Sequence, residues 1–241
     1  GVTGSVLSML EEGATHVGIA TDHIIPSFRN ELYPPYKDGS GIEPELLSQF
    51  PLIEELLDAL GFVVFPMVEY EADDAMGAAA VIAAADDRVD EVLICTPDKD
   101  LGQLVTDRII TYKPGRGGDP PEKLGPKEIC ERWGLQTTDQ VKDILGLMGD
   151  AVDNIPGIPG IGEKTAMKLV QQFGSLEGVI ANADKLKGKQ QENVIAFADQ
   201  GIKSKQLATI IIDAPVELNH DALHLDPPDP VKVLEVFSEL E

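Results

Sequence analysis

The sequence predicts an α/β fold with a parallel sheet flanked by helices, followed by a half that is helical throughout. Three observations predict it. Short apolar runs stop at turn residues, helical periodicity alternates with those runs, and a Gly/Pro-rich loop at 114–121 precedes helical patterns alone. Apolar runs of this kind are typical of buried parallel strands joined by helices. We therefore predict an α/β part over residues 1–125 and a helical part over residues 126–241.

The α/β part contains four apolar runs that predict strands. They are residues 17–20, 62–65, 91–95 and 109–112. Apolar residues three and four apart predict helices between them, over 46–60 and over the alanine-rich residues 73–85. Residues 2–11 also have a helical pattern.

The helical part contains periodic segments separated by turn residues. The predicted helices are 126–133, 138–148, 163–173, 176–182, 190–200 and, after a proline-rich stretch, 231–240.

The composition is that of a globular protein, because 43% of the 241 residues are hydrophobic. No apolar run reaches the roughly 18 residues of a membrane span, and no signal segment stands at the start, so we expect a cytoplasmic protein without membrane contacts. The two cysteines, Cys95 and Cys130, fit neither a disulfide framework nor a metal knuckle, and we expect buried thiols.

The net charge is −23, which excludes a general nucleic-acid coat protein, since such proteins have a surplus of Lys and Arg. Any DNA contact must therefore be local. The acidic balance fits a solubilising surface, adaptation to high salt, or carboxylates gathered around cations, and charge alone does not decide among these.

Acidic residues follow the apolar runs at the points where each run gives way to a turn or helix. They are Asp22; Glu71, Asp73 and Asp74; Asp98 and Asp100; and Asp150 and Asp153. Ligands of open α/β sheets bind beyond the carboxyl ends of the strands, so we predict that these eight carboxylates converge in one cleft. Two-metal geometry would place them within about 10 Å of a common centre.

Carboxylates brought that close repel one another unless a cation neutralises them. Mg²⁺ prefers such oxygen ligands, and two ions about 3.5–4 Å apart can support an in-line phosphoryl displacement. The alternative is that each acid caps a helix or lies on a solvated face, as Asp73 and Asp74 could at the start of their helix.

Glycines stand directly before a predicted helix in residues 155–166. They would let the backbone approach a phosphate at the positive end of that helix. The predicted DNA-binding residues are Gly157, Gly160, Gly162, Lys164, Thr165 and Lys168. The alternative is that the glycines serve close helix packing.

Two further segments have a functional and a plainer interpretation. Residues 27–37 combine aromatics with Arg29 and Lys37, which suits unpaired bases and phosphates but equally an ordinary loop. His220 and His224 have a spacing that could hold Zn²⁺, but the prolines nearby favour a solvated linker.

At these residues the sequence resembles the flap endonuclease and polymerase-associated 5′ nuclease family, over residues 17–219. Its motifs are Asp-x-x-x-Pro-Ser-Phe-Arg from Asp22, Glu-Ala-Asp-Asp from Glu71, Thr-x-Asp-Lys-Asp from Thr96, Gly-Asp-x-x-Asp-Asn-Ile-Pro-Gly from Gly149, and the Gly-Ile-Gly-Glu-Lys-Thr-Ala that follows. Five motifs in the family's order are a specific signal.

The resemblance implies a PIN-like sheet and a hydrolase that cuts DNA as a 5′-3′ exonuclease and 5′-flap endonuclease. It implies two Mg²⁺ ions, which Mn²⁺ can replace. The implied ligands are Asp22, Glu71, Asp73 and Asp74 for the first ion and Asp98, Asp100, Asp150 and Asp153 for the second.

The resemblance also implies contacts with the substrate. Arg29 and Lys37 resemble basic residues of a helical arch that steady the scissile phosphate. Residues 155–165 resemble the helix-three-turn-helix element that grips duplex DNA, often with a bound K⁺. The implied partners are DNA with 5′ ends, flaps or branches, and a DNA polymerase on a separate chain.

The sequence departs from the family in two places. The family begins with a strand whose aspartate is a metal ligand, and nothing before Val17 matches it. We therefore expect that strand and ligand to be missing, and little activity until they are restored. Residues 37–41 are less basic than the corresponding stretch in polymerase-linked members, which predicts a short or weakly charged arch.

Two other functions compete with a nuclease. A catalytically weak module that binds DNA junctions would keep the fold without a complete metal site. A toxin-like ribonuclease is disfavoured, because such domains are usually smaller and lack the glycine segment with its helical half.

Overall fold

The computed structural model of the chain describes residues 4, 6, 13–37, 39, 42–115, 120–224 and 227–239. In chain order its helices and strands are β1 (Gly18–Asp22), α1 (Phe28–Leu32), α2 (Pro44–Leu47), α3 (Gln49–Ala59), β2 (Val63–Met67), α4 (Ala72–Ala84), β3 (Val92–Cys95), β4 (Ile109–Lys113), β5 (Glu122–Leu124), α5 (Pro126–Trp133), α6 (Val141–Met148), α7 (Glu163–Phe173), α8 (Leu176–Ala181), α9 (Gly188–Ala196), α10 (Ala198–Ala208) and α11 (Pro230–Glu239). Short 3-10 helices cover Asp100–Leu104, Thr138–Gln140 and Ala183–Lys185.

The chain forms two compact units. The first comprises Gly1–Phe28, Asp38–Asp86 and Ile211–Glu241, and the second comprises Arg29–Lys37 and Asp87–Ile210. The division into these units rests on contacts between residues. It differs from the boundary predicted after residue 125, which rests on a change in composition.

The first unit is built on the parallel pair β1 and β2, in a register that places Asp22 beside Met67. Helix α4 packs against both strands. Apart from Asp74, its buried residues are alanines and a glycine, so the helix axis can lie close to the strands. On this unit Leu57 and Phe62 form a small core together with Val6.

The second unit contains a sheet in which β4 pairs with β3 in parallel and with β5 in antiparallel fashion. The sequence did not predict β5. It is three residues long and two of them are charged, so it has no apolar run to identify it.

The helices of the second unit share one large core. Its fully buried members include Ile144, Leu145 and Leu147 of α6, and α10 packs against this helix. Gly146 permits the approach, because a Cβ at this position would lie 2.7 Å from the Cβ of Lys205. Close packing of the two helices therefore depends on a residue without a side chain.

The predicted elements are largely confirmed, but besides β5 some helices differ from the prediction. The single helix predicted over 190–200 is wrong, because the chain breaks at Phe197 into α9 and α10. Helix α10 buries mainly small residues, such as Gly201 and Ser204, and so lacks the apolar periodicity that predicts a helix. Helix α1 lies in a segment interpreted as a loop.

Some predictions fall outside the described residues. Of the helix predicted over 2–11, only Gly4 and Val6 are described, and both are helical. Residues 116–119 of the predicted loop also lie outside the described part of the chain, as do residues 38, 40 and 41 of the stretch after Lys37. No helix in the described part of the chain is long and apolar enough to cross a membrane.

Candidate active site

The acidic residues of the first unit lie where β1 ends and α4 begins. The side chain of Asp22, the last residue of β1, accepts a hydrogen bond at Oδ1 from the Ala72 amide at 2.7 Å. This bond ties the end of the strand to the start of the helix. Asp73, in the first turn of α4, is half-buried.

Glu71 and Asp74 cap this helix. Each accepts a hydrogen bond from the other's backbone amide, and Glu71 Oε1 also accepts one from Ser27 Oγ at 2.7 Å. Asp74 Oδ1 accepts another from the Ile211 amide at 2.8 Å. The capping interpretation therefore holds for this pair. It does not exclude metal binding, since each carboxylate oxygen has a second lone pair.

The acidic residues of the second unit come from the turn after β3 and the turn after α6. Asp98 Oδ1 accepts a hydrogen bond from the Asp100 amide at 2.9 Å. Asp150 Oδ1 accepts one from the Val152 amide at 2.8 Å, and its Oδ2 lies 2.9 Å from Lys99 Nζ. Although burial acts in the opposite direction, these contacts lower the pKa of Asp150.

The surroundings of Asp100 disfavour the charged form of its carboxyl group. The pKa of Asp100 is raised to about 8, mainly by burial and also by the charges of Asp98, Asp150 and Asp153, while the charge of Lys99 lowers it. Its Oδ1 is buried and has no hydrogen-bond partner in the described part of the chain. A divalent cation would satisfy that oxygen and offset the repulsion, so this donor set fits a hard metal ion.

The eight predicted ligands divide equally between the two units: Asp22, Glu71, Asp73 and Asp74 lie in the first, and Asp98, Asp100, Asp150 and Asp153 in the second. Within the described residues no three His, Cys, Asp or Glu side chains are already arranged as a metal site. The convergence of all eight in one cleft stays a prediction.

Arg29 has a structural environment that the sequence did not indicate. The residue is 3% exposed, and its guanidinium donates to the carbonyl oxygens of Leu207 and Thr209, each at 2.8 Å. A guanidinium engaged in this way is poorly placed to meet a phosphate in this arrangement, and the catalytic assignment of Arg29 stays a prediction.

Lys37 is half-buried, and its amide donates to the carbonyl oxygen of Asp153 at 3.1 Å. Its backbone has φ 23°, a conformation that non-glycine residues rarely adopt. The contact places Lys37 beside the second-unit acids and keeps it as a candidate for a phosphate contact.

The glycine segment between α6 and α7 has a buried part and an exposed part. Gly157 has φ 58°, and a Cβ there would collide with the backbone of Met148 and Gly149. Its amide donates to the buried Ser204 hydroxyl at 3.0 Å. For Gly157 the packing interpretation therefore holds.

The later glycines are exposed. Gly160 has φ 79°, and Gly162 precedes α7 with open space where a Cβ would be. Lys164 and Lys168 are exposed on the same helix, and Thr165 is half-buried. A phosphate could therefore contact the backbone at this end of α7 without a change in the conformation of the chain.

His220 is half-buried and His224 is exposed. The His16 ring is near both, with centroids 4.2 Å from His220 and 5.6 Å from His224. The cysteine prediction is wrong for Cys95, which is exposed. Cys130 is half-buried, and burial raises the pKa of its thiol.

Sequence reasoning also missed two polar residues near the acids, Lys99 and Ser27. The signal for Lys99 was present, since a lysine between two aspartates is well placed to neutralise a neighbouring acid. No local signal marked Ser27, whose partner Glu71 is 44 residues away in the chain.

The acids thus lie at the ends of strands and in turns, and a glycine turn precedes a helix with two exposed lysines in the helical second half. Residues 1–134 match the family described as 5′-3′ exonuclease, N-terminal resolvase-like domain. Residues 136–231 match 5′-3′ exonuclease, C-terminal SAM fold. The chain belongs to the 5′-3′ exonuclease family, as the sequence motifs predicted.

A similar curated protein is DNA polymerase I of Bacillus caldotenax. It is 42% identical over 234 residues, which cover 96% of this chain and 26% of that protein. The chain thus spans about a quarter of the length of the curated relatives it matches.

Two solved structures show the same fold. The bacteriophage T5 5′-exonuclease with bound zinc has a TM-score of 0.72 at 21% identity, covering 99% of this chain and 90% of that one. The catalytic core of Rad2 in complex with DNA substrate has a TM-score of 0.58 at 16% identity, covering 98% and 76%. The predicted parallel sheet with a helical second half is confirmed.

Proposed function

We propose that this chain hydrolyses DNA phosphodiester bonds near 5′ ends and flap junctions, as a 5′-3′ exonuclease and structure-specific endonuclease. Asp100 carries the proposal: it is a buried carboxylate with an unpaired oxygen and three acidic neighbours. Such an arrangement is unfavourable without a cation and suited to one. The family to which the chain belongs supports the reaction class.

We assign two Mg²⁺ sites, at which Mn²⁺ can substitute. Asp22, Glu71, Asp73 and Asp74 would hold one ion, and Asp98, Asp100, Asp150 and Asp153 the other. Bound ions of this kind activate a water and stabilise the leaving oxygen of an in-line displacement. Metal ions in the T5 exonuclease structures support a divalent requirement.

The chain's own groups orient these carboxylates. The amides of Asp100 and Val152 fix the Asp98 and Asp150 carboxylates through one oxygen each. Lys99 holds the other oxygen of Asp150 and supplies positive charge beside the acids. Lys37, next to Asp153, is the proposed contact to the scissile phosphate.

Duplex DNA would be held through its backbone at the start of α7. Exposed Gly160 and Gly162 give a phosphate access to the amides, and Lys164 and Lys168 add charge. Thr165 lies in the first turn of the same helix, and K⁺ is the proposed monovalent ion of this element. The Rad2 structures with DNA substrate support DNA as partner.

We also propose that the chain acts together with a DNA polymerase, because its curated relatives are DNA polymerases I. We propose the cytoplasm as the compartment of this activity, with DNA as substrate and a polymerase as partner.

One observation favours the alternative function, a catalytically weak module that binds DNA junctions without efficient cleavage. Lys99 already forms an ion pair with Asp150, and the described residues contain no preassembled group of three metal ligands. A chain of this kind would bind branched DNA with or without divalent ions.

A labelled 5′-flap substrate tests the proposal. We expect Mg²⁺-dependent cleavage, even if slow, and none in EDTA, and we expect Asp100→Asn and Asp150→Asn to lower the rate by about a hundredfold or more, as lost metal ligation does. Asp199→Asn, on the exposed face of α10, is the control and should cleave normally. Tight flap binding without cleavage at any Mg²⁺ concentration would favour the junction-binding module instead.

A further inference from the structure

The second unit has a cavity that the proposed reaction does not use. It encloses about 360 Å³ and is bordered by the turn after β3, by β4 and β5, and by α5. Cavities of this size accept small organic ligands. The cavity shares Asp98 and Lys99 with the candidate active site, but most of its wall comes from residues outside that site.

Two aromatic residues are among those that line the cavity. Tyr112 on β4 and Trp133 at the end of α5 line it, and each is 4% exposed. The Tyr112 hydroxyl oxygen is buried and has no hydrogen-bond partner in the parts of the chain that are described. A buried hydroxyl without a partner is costly, and a polar ligand atom would satisfy it after a small shift of the cavity wall that exposes the hydroxyl.

The rim carries two cations that are free to meet a ligand. Among the described residues neither Lys113 nor Arg132 forms an ion pair. Lys113 lies opposite Glu122 across β4 and β5, yet the two side chains do not form a salt bridge. Of the other rim acids, Asp98 and Glu128 already accept backbone amides.

We propose that this cavity binds a nucleoside 5′-monophosphate. Lys113 and Arg132 would hold the phosphate through charge-assisted hydrogen bonds, and the base would lie against the exposed edges of Tyr112 and Trp133. The Tyr112 hydroxyl would bond to a polar atom of the base or sugar, and Glu122 would accept from a base amino group. The choice of ligand rests on the proposed function, because a 5′-3′ exonuclease releases such mononucleotides.

The test is calorimetric titration of the full chain with 2′-deoxyadenosine 5′-monophosphate in EDTA. Without divalent ions the carboxylates of the candidate active site repel a phosphate, so binding reports on the cavity. We expect saturable binding with a Kd of about 0.1 mM, given the efficiency usual for a ligand of this size.

Substitutions of residues that line the cavity test whether the nucleotide binds there. The double substitution Lys113→Gln with Arg132→Gln should weaken binding by about tenfold or more, since it removes both charged donors. Tyr112→Phe should weaken it severalfold without harming the fold, because the hydroxyl has no partner to lose. The control is Lys127→Gln, on the same helix but with its side chain 77% exposed and outside the cavity wall, which should bind normally.

Three results would overturn the inference: no saturable binding, an unchanged Kd in the double variant, or inorganic phosphate binding as tightly as the nucleotide, which would show an anion patch only. A chain that cleaves flaps with Mg²⁺ but does not bind the nucleotide retains its nuclease function and loses this site. If the chain binds the nucleotide but does not cleave DNA, the cavity site stands and the proposed nuclease function fails.

Discussion

Lys99 Nζ lies 2.9 Å from Asp150 Oδ2, so one predicted metal ligand is already held by an internal cation. The ammonium of Lys99 and a divalent ion would compete for the same oxygen. We predict that Lys99→Met tightens Mn²⁺ binding by about tenfold, while the metal-free chain loses about 1 kcal/mol because the lysine side chain is 40% exposed and screened. Titration with Mn²⁺ and urea unfolding in EDTA measure the two effects. Weaker Mn²⁺ binding would show that Lys99 orients the ligand instead.

Asp100 should make stability depend on pH when no metal is bound. Its folded pKa of about 8 lies above the ordinary value of 3.8, so between these values the folded chain holds a proton that the unfolded chain has released. Stability in EDTA should therefore fall as pH rises from about 4 to about 8. Asp100→Asn should remove that fall and raise the melting temperature at pH 8 by about 3 °C or more. Parallel pH profiles for both proteins would contradict the assignment.

Two glycines between α6 and α7, Gly157 and Gly162, should differ in how much stability the protein loses when each is replaced by alanine. Gly157→Ala should cost about 3 kcal/mol or more, because φ is positive and the Cβ meets backbone. Gly162→Ala should stay within about 0.5 kcal/mol, since its φ is −92° and the space is open. Thermal unfolding compares the two, and DNA titration of Gly162→Ala then shows whether a phosphate approaches this backbone. Unaltered affinity would place the phosphate elsewhere.

Lys164 should contribute to DNA affinity without reading sequence. We predict that Lys164→Ala weakens duplex binding equally for all sequences and reduces the salt slope by about 1, because it would touch phosphate. Lys203→Ala, exposed on α10, is the matched control. The measurement is a binding titration at several salt concentrations, and an unchanged slope would remove α7 from the interface.

A buried ion network joins α6, α8 and α10. Lys205 Nζ lies 2.6 Å from Asp143, which is 3% exposed, and 2.9 Å from Glu177. Although burial acts in the opposite direction, these acids raise the pKa of Lys205. Lys205→Met should cost about 3 kcal/mol in urea unfolding, because it leaves the Asp143 charge buried and unpaired. Adding Asp143→Asn should recover part of that loss, and strictly additive costs would argue against coupling.

The sequence predicted the parts of the structure that local patterns encode. The parallel strands appeared as apolar runs, and most helices of the second unit appeared as periodic segments. Arg29 could not be assigned in this way, because its partners Leu207 and Thr209 are 178 and 180 residues further along the chain. Asp100 was identified as an acid in a motif, but its burial and unpaired oxygen come from tertiary packing. The cavity beside Tyr112 likewise exists only because β5 adds to the sheet, and no pattern marked β5.

The shortness of β5 also bears on how copies of the chain meet one another. An exposed strand edge is a template on which a second molecule can extend the ladder, and long apolar edges promote aggregation. Here the ladder ends in three residues, of which Glu122 and Lys123 are charged, and Lys123 forms an ion pair with Glu91 at 2.6 Å. A neighbouring copy would find few free amides there and would have to displace charged side chains. On this side the sheet is thus protected against edge-to-edge self-association while the chain is folded.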